Sequence, residues 1–302
     1  MLAGAEEELQ AGFEVRQQMS AIQTLLAGLF DYAGLYPPAS LSLRSATSNY
    51  LGYAGGEHSA ALGRFVANAD RLEEMRSVAG DSLKKFKLSV IASAITDCDV
   101  IAENIRLGMR IEAIEWKGVR PEELERVRSQ FSESMIHYVE APIATEEGTM
   151  LDTFSRTGMR AKIRTGGITP EAFPSTSDLV QKIAAFATFR IPFKATAGLH
   201  HPVRSYRPLT YKADSPKGTM HGFLNVCCAA AILYFGGERS DANRVMEEDD
   251  AAAWKFGSDR LAWRNLSWTE EQLRILRRDF FTGIGTCSFE EPVQDLISLG
   301  WL

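Results

Sequence analysis

Short apolar runs rich in β-branched residues recur eight times along this 302-residue chain, and longer segments of helical period separate them. That alternation is the pattern of βα units on a parallel sheet. The runs are Leu26–Tyr36, Leu62–Ala67, Phe86–Ala92, Arg110–Trp116, Met135–Ala141, Met159–Thr165, Ile191–Ala197 and Thr282–Cys287. Eight such strands suit a closed barrel better than an open doubly wound sheet. No G-x-G-x-x-G fingerprint follows any of them, Gly166-Gly167 included, which lowers the dinucleotide-binding alternative. The expected fold is α/β, a (β/α)8 TIM barrel forming one domain over residues 1–302.

Amphipathic segments at Asp97–Leu107, Pro121–Phe131 and Thr176–Phe189 read as outer helices; Pro121 suits a first helical position and Ser177 can cap. Residues 1–20 read as an acidic helix or tail, because glutamates stand where a secretory signal needs positive charge. Residues 202–281 are too long for one connection. They form an extended insertion between strands seven and eight, expected over or beside the active mouth: a polar loop (Arg204–Gly218), an apolar helix (Gly222–Phe235) and a charged, Trp-containing stretch (Glu247–Arg278). A helix apolar nearly all round implies deep burial or a subunit contact, so a homodimer is an expectation. A net charge of -6 argues against nucleic-acid partners, and no run approaches the roughly 18 apolar residues of a membrane span. The expected location is the cytoplasm, and the expected partner a small-molecule substrate. Four cysteines without C-x-x-C spacing argue against a disulfide framework or structural zinc; no cofactor or metal is expected.

Barrel enzymes place their chemistry at the C-terminal ends of strands, and a polar residue buried in an apolar strand costs several kcal/mol unless compensated. Polar residues inside strands are therefore the candidates. Strand four carries Glu112 and Glu115, strand five Glu140, strand six Lys162 and Arg164, strand seven Lys194 and Thr196, and strand eight leads to Thr286 and Ser288. Alternation puts Lys162 with Arg164, and Lys194 with Thr196, on one face each. With that face toward the lumen, two amines from neighbouring strands meet at the mouth. Repulsion and desolvation would then leave one of them neutral and nucleophilic. The alternative, that each lysine simply pairs with Glu112, Glu115 or Glu140 in a buried ion network, stays open.

Lys162-Ile163-Arg164-Thr165-Gly166-Gly167 resembles the K-T-S-T-G strand of deoxyribose-phosphate aldolases, and Phe193-Lys194-Ala195-Thr196-Ala197-Gly198 resembles their V-K-A-S-G-G strand. Ile111-Glu112-Ala113-Ile114-Glu115 is similar to the strand bearing that family's proton-shuttling aspartate, Val139-Glu140 to its I-E-T, and Gly285-Thr286-Cys287-Ser288 to its G-T-S-S phosphate turn. The resemblance spans Arg110 to Ser288. It implies a class I aldolase barrel in which Lys162 forms the imine and Lys194 tunes its pKa. Three positions depart from the family: Arg164 replaces a small residue, His200-His201 replace the phosphate-binding end of strand seven, and Glu290-Glu291 follow the eighth-strand turn. Ser288 and Glu291 form an expected capping box, but two carboxylates at a helix start repel phosphate. Arg164 suits a carboxylate instead.

His200, His201 and His221 all follow strand seven, where they can act as acids or bases; the bland alternatives are a backbone bond from His200 and a helix cap from His221. Asp31, in FDYAGLYPP, is a lumen acid or a turn residue. The expected activity is a lyase acting on a small carbonyl or carboxylate compound through a Lys162 imine. Lys194, Glu112, Glu115, Glu140, His200 and His201 assist, and Asp31, Arg164, Thr196, His221, Thr286 and Ser288 bind substrate. Two other classes compete: a metal-dependent hydrolase or lyase using His200, His201 and a strand glutamate, and a non-catalytic barrel that binds a small molecule.

Overall fold

The computed structural model describes residues 20–143 and 148–302. The expected tail over residues 1–20 therefore lies, but for Ser20, outside the described residues. All eight anticipated strands are present. They are β1 (Phe30–Tyr32), β2 (Leu62–Asn68), β3 (Leu88–Ala92), β4 (Ile111–Trp116), β5 (Ile136–Glu140), β6 (Arg160–Arg164), β7 (Phe193–Thr196) and β8 (Phe281–Thr286). Each pairs in parallel with its neighbours, and β8 closes onto β1 to complete the barrel. The protein is a (β/α)8 TIM barrel.

A short helix α1 (Ala21–Leu26) leads into β1, with Ser20 and Gln23 forming a reciprocal cap. The ring helices follow each strand: α2 (Leu43–Ala54), α3 (Leu72–Ala79), α4 (Asp97–Arg106), α5 (Pro121–Arg128), α6 (Gly148–Thr157) and α7 (Thr176–Phe189). The cap of α7 is Ser175, whose hydroxyl accepts from Asp178 N; Ser177 lies two residues too late, inside the helix. Between these helices and the sheet lies one apolar core, with residues such as Phe65, Phe86, Phe193 and Ile284 fully buried.

The long connection from β7 to β8 is more ordered than its polarity implied. Its first part is an antiparallel hairpin, Ser205–Pro208 with Lys217–Met220, rather than a loop. Helix α8 (Phe223–Tyr234) follows and takes the seventh ring position, packed by α7, α9 (Arg239–Glu247), α10 (Glu270–Asp279) and β8. Its all-round burial is thus met within its own chain, which removes the ground on which a second copy was expected. The Trp-containing stretch forms a three-stranded antiparallel sheet, Trp254–Phe256, Arg260–Trp263 and Leu266–Thr269. This sheet packs toward α1 and α10, away from the mouth; only the hairpin reaches the mouth, through Tyr211. Helix α11 (Glu290–Ser298) completes the ring. Among the described residues no helix is long and apolar enough to cross a membrane.

Candidate active site

The register sets Glu140, Lys162 and Lys194 side by side on β5, β6 and β7. All three face inward, because the alternate residues Ala161, Ile163, Phe193 and Ala195 are buried against the helices. Lys194 is wholly buried, its Nζ 2.5 Å from Asp31 Oδ2 and 2.8 Å from Glu115 Oε1. Burial pulls its pKa down, but the adjoining Asp31 and Glu115 carboxylates outweigh this and hold the ammonium above its ordinary value. Lys162 Nζ lies farther from its partners, 3.3 Å from Glu115 Oε2 and 3.4 Å from Glu140 Oε2. Glu115 therefore bridges the two amines, one oxygen to each, while Ser89 Oγ donates to Oε1 at 2.7 Å. Burial alone would favour its neutral acid. Lys194 and Lys162 reverse that and keep Glu115 ionised well below the usual carboxylate range.

The anticipated crowding of two amines is corrected accordingly: a carboxylate stands between them, and Lys194 is a fixed cation. The lysines do sit in a buried ion network, with Glu115 and Glu140, but Glu112 meets neither of them and joins it only through Arg64. Glu112 sits at the start of β4 with Arg64 (3.2 Å) and Arg110 (2.7 Å), and does not line the cavity.

Both lysines nonetheless line a cavity of about 320 Å³ at the C-terminal mouth. Arg164, Thr196, His200 and Cys287 join them there. Asp31 proves to be a lumen acid, held by the Arg64 N–H at 2.7 Å; a side chain at Gly63 would collide with its carboxylate, so this approach requires glycine. A second close approach shapes the β7 end. Gly198, at φ +77°, lies against Gly166 and the Phe173 ring, where no Cβ fits.

The histidines separate. His200 Nδ1 is 3.0 Å from Glu291 Oε2 and 3.9 Å from Cys287 Sγ, and Tyr211 OH donates to the same Glu291 oxygen at 2.9 Å. Burial disfavours the imidazolium, but the Cys287 and Glu291 contacts prevail and push its pKa up to about 9. Glu291 is drawn in the opposite sense, below its ordinary value: burial raises it and His200 more than compensates. His201 turns to Asp295 Oδ2 at 2.6 Å, and His221 Nε2 donates to Pro174 O at 2.9 Å, off the cavity and not capping α8. Neither His200 nor His201 meets a strand glutamate. Among the described residues no three His, Cys, Asp or Glu side chains are grouped to hold a metal ion.

Thr196 lines the cavity while donating to Ile163 O at 3.2 Å. Thr286 and Ser288 do not reach it. Thr286 Oγ1 donates to Ser288 O, and Ser288 Oγ accepts from Glu291 N at 3.2 Å. The capping box is thus half formed, because the Glu291 carboxylate goes to His200 instead of back to the chain. Sequence reasoning missed Ser89, Arg64, Cys287 and Tyr211. Ser89 carries the signal that found the lysines, a polar residue inside an apolar strand.

No protein-family model matches the chain, and no curated protein matches it. The likeness to deoxyribose-phosphate aldolases stands on the strand motifs alone.

Proposed function

We propose that the protein is a lyase of the class I aldolase type. Lys162 gives its ammonium proton to Glu140 and adds through Nζ to a substrate carbonyl. Loss of the carbonyl oxygen as water leaves an iminium on Lys162. This cation accepts the electron pair of the neighbouring C–C bond as a base takes the β-hydroxyl proton, so an aldehyde departs and an enamine remains. Protonation of the enamine carbon and hydrolysis return the amine. Glu140, 3.4 Å from Lys162 Nζ, is the carboxylate that takes the ammonium proton, since Glu115 is held ionised by two ammonium groups. His200, cationic at neutral pH, supplies a proton donor on the cavity wall.

The observation that carries this reading is a strand-borne amine lining a pocket at the barrel mouth beside a second, fixed ammonium. Borohydride reduction of the full chain with a panel of small aldehydes and ketones, followed by peptide mass mapping, tests it. The expected result is a mass gain on Lys162, none on the buried Lys194, and none in Lys162→Met. No adduct with a compound that the protein turns over sinks the imine route. A second reading, a barrel that binds without catalysing, draws on the two carboxylates that hold Lys162; under it Lys162→Met leaves cellular function intact.

A further inference from the structure

The cations of the cavity are not equally satisfied. Lys194 is taken by Asp31 and Glu115, Lys162 by Glu115 and Glu140, and His200 by Glu291. Arg164 also lines the cavity, yet among the described residues it has neither a carboxylate partner nor a hydrogen-bond acceptor. It stands two residues beyond Lys162 on β6, on the same face and about 6.5 Å nearer the mouth. A planar guanidinium there presents paired N–H donors of the geometry a carboxylate accepts.

The opposite wall has the other character. In the barrel order β2 faces β6 and β3 faces β7, and these strands contribute Val66 and Ile91 to the cavity. Tyr36, Pro37 and Pro38, after β1, extend that wall; its one hydroxyl, of Tyr36, already donates to Asn68 Oδ1 at 2.7 Å, and no charged side chain lines it. Several sugar hydroxyls directed there would lose water and find at most the Tyr36 oxygen as a partner, whereas a hydrocarbon group loses nothing. A volume of about 320 Å³ holds a compact ligand of about ten non-hydrogen atoms. Phosphate is disfavoured, because the α11 start that would face it presents the Glu291 carboxylate.

We propose that the cavity takes, as the keto fragment that cleavage leaves on Lys162, an α-keto acid with a short hydrocarbon substituent: carboxylate on Arg164, carbonyl carbon at Lys162 Nζ, substituent against Val66, Ile91 and the two prolines. This rests on the imine reading for the placement of the carbonyl, but the Arg164 contact and the apolar wall can be measured without it.

Calorimetric titration of the full chain, without borohydride, uses ketoisocaproate, pyruvate, methyl isobutyl ketone and glyceraldehyde phosphate as probes. Ketoisocaproate is expected to bind most tightly. Arg164→Gln should weaken it by roughly tenfold or more, Arg164→Lys by less, and neither should alter the neutral ketone. Val66→Ser should erase the advantage of ketoisocaproate over pyruvate. Arg164 is exposed, so its variants keep the fold, which circular dichroism verifies. Equal ketoisocaproate affinity in wild type and Arg164→Gln, or tighter binding of glyceraldehyde phosphate, overturns the proposal. Repeating the titrated mixtures with borohydride separates the two readings: Arg164-dependent binding with no adduct on Lys162 upholds the ligand class and removes the imine alone.

Discussion

Glu115 is the residue on which the site's electrostatics turn. Two buried ammonium groups would each cost several kcal/mol if unpaired, and one carboxylate serving both, with Asp31 and Glu140 at the flanks, keeps the lumen neutral enough to fold. His200 and Glu291 repeat the device at the mouth, and there pH exposes it. The folded-state pKa of His200 is raised to about 9, against about 6.5 unfolded. Its stabilisation is therefore complete below pH 6.5, fades as pH climbs, and is gone above 9. A shift of that size corresponds to on the order of 3 kcal/mol. Urea unfolding of wild type and His200→Gln at pH 6 and at pH 9.5 should show a gap that closes at the higher pH; a gap independent of pH would refute the assignment. Glu115, Glu140, Lys162 and Lys194 were legible beforehand because a charge within an apolar strand has to be answered by a partner, whereas Asp31, beside two glycine- and proline-rich turns, read equally as a turn residue. Cys287, Glu291 and Tyr211 were not. Their contacts with His200 and with one another join turns and a hairpin 76 to 91 residues apart, and no local pattern encodes that meeting.

At the level of elements, the period of the pattern decided what could be read. Helices α4, α5, α7 and α8 end within three residues of the positions their apolar spacing indicated, because burial of one face enforces that spacing. The hairpin and the three-stranded sheet inside 202–281 escaped notice, since their strands are three or four residues long and bury at most two residues each. What joins this region together is Asn225, the polar interruption in an otherwise apolar α8. Fully buried, it donates through Nδ2 to Val245 O (2.6 Å) and Glu248 O (2.8 Å) and accepts through Oδ1 from Arg204 N (2.9 Å). One amide thus ties the hairpin's root to α8 and to the end of α9. Asn225→Leu leaves Glu248 O and Arg204 N without the partner it supplied, while Val245 O keeps Glu248 N, at a cost of about 2 kcal/mol. Hydrogen exchange should rise at Arg204 and across α9 while the protection of β4 to β6 holds; uniform loosening of the whole barrel would contradict this local role.

For the molecule as a whole, the sequence reading of one domain is a statement about cooperativity. The excursion between β7 and β8 is long enough to have made a domain of its own, but α8 occupies a ring position of the barrel and shares a core with α7 and β8. Beyond it, the small sheet closes on α1 and α10, and Thr24 on α1 donates to Glu270 at the start of α10. Helix α1 and the excursion are therefore packed on each other as well as on the barrel, leaving between them, among the described residues, no exposed linker at which one part could melt alone. Scanning calorimetry of the full chain should give a single transition whose calorimetric and van't Hoff enthalpies agree. Asn225→Leu should move that one peak to lower temperature. If it instead splits off a smaller, earlier transition, with the later one still at the wild-type temperature, residues 202–281 form a separable unit and the barrel stands without them.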